Sequence, residues 1–166
     1  MAGRQSSKLG AWLMTIWLKV SFALYLINGL ILIAFGVRYF FADELMPYHA
    51  ETLGIARDGL SAAYAIVITT LYRATGAGML VVGLVFFILL AVPFRGRQAW
   101  SRWALSAIGL FYGGLSLFLT LALQAETSAS VPWPGPAAAV ITTLAAHFLA
   151  AGLGKTPAGD IGTGPA

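Results

Sequence analysis

Residues Val20–Val37, VSFALYLINGLILIAFGV, run eighteen positions without a charge, between Lys19 and Arg38. As a helix this stretch measures about 27 Å, close to the ~30 Å hydrocarbon core of a bilayer. An isolated strand cannot satisfy its backbone in lipid, so a segment of this kind spans as a helix. With its flanks the first span covers about 17–41. Three more follow at 62–92, interrupted only by Arg73, at 103–123 without a charge, and at 137–153, the shortest. No ten-residue alternation suggests an outer-membrane barrel. The expected fold is all-α: one integral membrane four-helix bundle over residues 1–153, with a flexible Gly-, Pro- and Thr-rich tail at 154–166.

Composition leads to the same class. Of 166 residues, 59% are hydrophobic and only 10% charged, with a mean hydropathy of +0.83. A water-soluble domain of this size could not cover so much apolar area with so few charges. Cysteine is absent, which excludes disulfide scaffolds, thiolate metal sites and c-type haem attachment. The net charge of +4 does not point to nucleic acid, because the basic residues sit beside apolar spans, where they orient the chain.

Arg4, Lys8 and Lys19 precede the first span. The first loop carries Asp43, Glu44, Glu51 and Asp58 against Arg57, the second Arg95, Arg97 and Arg102, and the third only Glu126. Basic and acidic blocks alternate as in an up-down-up-down protein with both termini in the cytoplasm. The expected location is therefore the inner (plasma) membrane. The basic start is not read as a cleaved signal, since the apolar region outruns an h-region and no small-residue cleavage site precedes Arg38. Gly10–Leu18 is expected to begin as an interfacial turn, with Trp12 and Trp17 at headgroup depth. Trp100, Trp103, Trp133, Tyr39 and Tyr48 occupy the other belt positions. The segment Val131–Pro136, VPWPGP, reads as a turn that cannot continue a helix.

Helices in lipid associate through small residues. Gly29 and Gly36 in the first span, Gly76, Gly78 and Gly83 in the second, and Gly109 and Gly113 in the third are the expected packing positions. Intramolecular contact is the expected use; a homodimer face is the alternative.

Few polar residues could carry chemistry. Arg73 falls near the outer hydrocarbon boundary, where a guanidinium pairs with an acid, snorkels or meets an anionic headgroup. Its nearest acids are Asp43, Glu44, Glu51 and Glu126. The segment DELMPYHAE, Asp43–Glu51, brings His49 and Glu51 close but matches no metal signature, and is expected to form an ordered re-entrant or capping loop. Arg38 is expected to snorkel or to pair with Asp43 or Glu44. Asn28 and His147 lie at comparable depth, so a direct hydrogen bond between them is expected, with proton relay or ligand contact as the alternative. Tyr25, Tyr64, Tyr72 and Tyr112 add hydroxyls without an acidic partner in any span. No catalytic, cofactor or metal motif is present.

Leu26–Val37 (LINGLILIAFGV), Met46–Glu51 (MPYHAE) and Arg73–Gly83 (RATGAGMLVVG) give the chain a layout that resembles small bacterial four-helix membrane proteins, distantly DoxX-like. The resemblance implies the fold and carries no catalytic residue. The expected role is a non-enzymatic accessory or structural module, with the lipid bilayer and other membrane subunits or a second copy as partners. The alternative is a lipid or quinone-like small-molecule binder, or a small transporter component, using Arg73, Asn28 and His147.

Overall fold

Among the described residues, four helices long and apolar enough to cross a membrane cover Ile16–Phe40, Ala62–Phe94, Ala99–Glu126 and Pro134–Gly152. The structure, a computed structural model, describes residues 2–56, 59–127 and 129–153, with the backbone alone for 2–15. The tail at 154–166, Arg57 and Asp58 lie outside the described residues, as do the side chains of Arg4, Lys8 and Trp12. Among the described residues five α-helices follow in order: α1 (Ala2–Phe40), α2 (Pro47–Leu53), α3 (Ala62–Leu89), α4 (Ala99–Glu126) and α5 (Pro134–Leu149). A π-helical turn, Leu90–Phe94, extends α3, and a 3₁₀ turn, Ala150–Gly152, extends α5. No strand occurs among the described residues. Phe111 is 76% exposed and Phe148 71% exposed, and such apolar faces find their solvent in lipid. The chain is a multi-pass helical membrane protein.

Three boundaries differ from expectation for stated reasons. The backbone of α1 is helical from Ala2, so the region around Gly10–Leu18 is continuous with the span rather than a separate turn. Pro134, Gly135 and Pro136 form the first turn of α5 instead of ending the loop, because amide hydrogens have no intrahelical acceptor there and proline loses nothing. The second span runs past Val92 through Pro93. A regular helix would drive the proline ring into the carbonyl four residues back. The wider turn relieves this, and Arg95 N–H reaches Leu90 O at 3.2 Å.

That helix ends in a Schellman arrangement: Arg97 N–H donates to Phe94 O at 3.0 Å and Gln98 N–H to Pro93 O at 2.9 Å. The motif needs a left-handed residue, and Arg97 takes it at φ 56° although Gly96 is its neighbour. A side chain in that conformation costs about 1–2 kcal/mol.

The helices pack in antiparallel registers. On α1 and α3, Gly29 faces Phe86, and Gly36 faces Leu80 and Gly76. On α1 and α5, Ser21 meets Ala146 and Asn28 meets Thr143. On α4 and α5, Gly109 faces Thr143 and Gly113 faces Val140. The α1–α3 seam is the most extensive, α1–α5 and α4–α5 come next, and α3 touches α4 only lightly. Phe86 is wholly buried at the centre, against Gly29, Gly109 and the Tyr25 ring. Six of the seven expected packing glycines lie on these seams. Gly78 does not: it is exposed, with open space where a Cβ would stand. It lies two positions from Gly76, and a helix turns about 200° over that interval, so the two cannot share a face.

Candidate functional site

All four spans contribute to two polar clusters at opposite ends of the bundle. At the basic end, Tyr25 of α1 lies 2.6 Å from Ser106 of α4, and Ser106 lies 2.8 Å from Nδ1 of His147 on α5. Each group is satisfied when Tyr25 donates to Ser106 and Ser106 donates to the imidazole. The chain of bonds thus ties three helices together where water is excluded. Ser21 adds a bond to Ala146 O at 2.7 Å. Trp103 sets its ring edge-on to His147 at 4.6 Å, and the Arg102 guanidinium lies 5.1 Å from the centre of the same ring. Arg102 also donates from Nη1 to Ala150 O at 3.3 Å, placing a cation at the C-terminal end of α5, where the helix dipole favours it.

One turn deeper, Asn28 is buried and uses both ends of its amide. Its Nδ2 donates to Thr143 at 3.0 Å, and its Oδ1 accepts from Thr142 at 3.0 Å. The expected Asn28–His147 bond is therefore not formed. Asn28 meets α5 one turn away from His147, at residues four and five positions earlier, and each partner finds a nearer hydroxyl.

At the acidic end, α2 caps the bundle. Pro47 opens it, Gly54 closes it at φ 63°, and Ala42, Leu45, Met46 and Ala50 are buried beneath. The expected capping loop is present as this short helix. Tyr72 of α3 is the post it rests on: its hydroxyl accepts Met46 N–H at 3.2 Å and bonds to Nδ1 of His49. Tyr48 bonds through its hydroxyl to Tyr39, and the Tyr39 and Tyr72 rings meet edge to face at 5.5 Å. Burial raises the Tyr48 pKa, and its bond to Tyr39 raises it further. Burial lowers the His49 pKa below 6.5. Neutral His49 is the form that accepts from Tyr72, whose oxygen is already occupied by Met46.

The remaining candidates do not join these clusters. Arg73 and Arg38 are exposed on the outside of the bundle, and neither forms an ion pair with Asp43 or Glu44 among the described residues. Asp43 and Glu44 are also exposed. Glu51 is used structurally, accepting Ser130 N–H at 3.0 Å and so linking α2 to the loop before α5. No group of three metal-ligating side chains occurs among the described residues. Arg73, Asn28 and His147 are thus three separate places, not one site.

Sequence reasoning passed over Ser106, Thr142 and Thr143, and read Arg102 only as an orienting charge. Hydroxyls in a span look generic, and their partners lie 41 to 115 positions away. No protein family, curated protein or solved structure matches this chain.

Proposed function

We propose that the protein is a non-enzymatic accessory or structural module of an inner-membrane assembly. One observation carries the reading: Tyr25, Asn28, Ser106, Thr142, Thr143 and His147 bond to one another across the helix seams. The Tyr25–Ser106–His147 chain and the Asn28–Thr142–Thr143 cluster use their donors and acceptors to join helices. A quinone-like ligand between the helices would have to compete with those bonds. Surfaces rich in exposed apolar side chains on α3 and α4, including Ile66, Val81, Phe111 and Phe118, remain for contact with lipid or a neighbouring subunit.

The up-down-up-down threading, with both termini in the cytoplasm, is supported by the antiparallel registers and by the separation of charge. Lys19, Arg95, Arg97 and Arg102 stand at one end, and Asp43, Glu44, Glu51 and Glu126 at the other. A distant DoxX-like relationship is proposed on the three stretches Leu26–Val37, Met46–Glu51 and Arg73–Gly83.

Purification in mild detergent after cross-linking in intact cells tests the assembly role. A co-purifying membrane subunit or a second copy is expected; a strictly monomeric, partnerless species overturns it. Reporters fused at the carboxyl end should be active only in their cytoplasmic form.

A further inference from the structure

At the basic end, the end of α3 and the start of the first span border an open, shallow groove of about 270 Å³ between Phe22, Phe94 and Leu153. Its rim carries Lys19, Arg95 and Arg97, all exposed. The groove lies below the roughly 300–1,000 Å³ of sites that enclose a drug-sized ligand. It suits a headgroup with its acyl chain laid along the apolar wall. Trp17, Trp100 and Trp103 are exposed at the same end, the position of indole rings at headgroup depth. The described carboxylates, Asp43, Glu44, Glu51 and Glu126, all belong to the opposite end, so among the described residues the three cations have no acid beside them.

The backbone adds an independent argument. The Schellman turn needs one left-handed residue, and glycine would take it without strain. Gly96 is adjacent, yet the chain places Arg97 there at φ 56°. Strain of this kind persists where the side chain it presents has a use. Here the strained residue lines the groove together with the other two cations.

We propose that this groove binds one anionic phospholipid, its phosphate held by Lys19, Arg95 and Arg97 and its chain lying against Phe22, Phe94 and Leu153. Basic pockets between spans recognise anionic headgroups in this way. The site is independent of the polar clusters and of the assembly role proposed above.

The full chain in nanodiscs of phosphatidylcholine, with and without phosphatidylglycerol, provides the test, read by native mass spectrometry and thermal unfolding. The wild type should retain one phosphatidylglycerol in preference to phosphatidylcholine and unfold at higher temperature with it. Each cation removed should lower that preference about fivefold. Arg97→Gly is the decisive variant, because it relieves the turn while deleting the charge. In phosphatidylcholine alone it should unfold at the wild-type temperature or above, yet bind phosphatidylglycerol more weakly. Lys19→Gln and Arg95→Gln should weaken binding similarly, and Arg73→Gln at the other end should not. Equal retention of the two lipids by the wild type overturns the proposal. So does an undiminished preference in Arg97→Gly, or the same thermal shift from inorganic phosphate alone.

Discussion

Ser106 holds Nδ1 of His147 at 2.8 Å across the seam between α4 and α5. Its oxygen also receives Tyr25, so one small side chain joins three helices. Intramembrane hydrogen bonds contribute about 0.6 kcal/mol on average and at most about 1.7. Ser106→Ala removes two and should cost about 1–2 kcal/mol, seen as a lower unfolding temperature in detergent. Combined with Tyr25→Phe the loss should fall short of additive by at least ~0.5 kcal/mol, because both substitutions break the same bond.

Gly76 and Gly78 are two residues apart and should behave oppositely. A Cβ at Gly76 would stand 2.5 Å from Phe40 N and 2.6 Å from Gly36 O, backbone atoms that cannot step aside. Gly76→Ala should separate α1 from α3 at a cost of about 1–3 kcal/mol or more. Gly78→Ala meets open space and should gain up to about 1 kcal/mol of helix propensity. Thermal unfolding of the pair in one detergent checks both signs.

Tyr72→Phe leaves the buried Met46 N–H without its acceptor while keeping the ring packing. An unsatisfied buried donor costs about 1–3 kcal/mol. The loss falls on α2 alone, so hydrogen exchange of the 46–53 amides should speed up about tenfold with the four spans unaffected.

Acid should loosen the same cap through His49. Burial holds its folded pKa below the unfolded value of 6.5, so the unfolded form binds the proton more readily. The stability it contributes is complete above pH 6.5 and falls as pH drops from 6.5 to the folded pKa. Protonation also turns Nδ1 into a donor toward a Tyr72 oxygen that Met46 already occupies. The protection of the α2 amides relative to their intrinsic exchange should fall as pH drops from 7.5 to 5, and His49→Gln should flatten that dependence; these pH limits are roughly one unit or more either side of an ordinary histidine pKa.

Much of the architecture could be read from the residues. Charge-free runs such as Val20–Val37 have one solution in lipid, and small residues such as Gly29, Gly83 and Gly109 mark where helices close. The end points were less legible, because Pro93 and Pro134 act through local geometry: the first is absorbed by a widened turn, the second costs nothing in a first turn. Side-chain partners were least legible. Asn28 and His147 share a depth, but helix rotation decides which hydroxyl each meets, and Thr143 and Ser106 stand nearer. Arg97 drew notice only as a charge, since its backbone angle leaves no trace in composition.

The uneven seams of the bundle bear on how the polypeptide is made. α1 and α3 form the broadest contact, α4 and α5 form a second pair, and α3 barely touches α4. The chain is in effect two hairpins meeting along α1 and α5. The first hairpin can close in the membrane before the ribosome has released the second. Two fragments divided between Gln98 and Ala99, and produced in the same cell, should find each other and rebuild the whole.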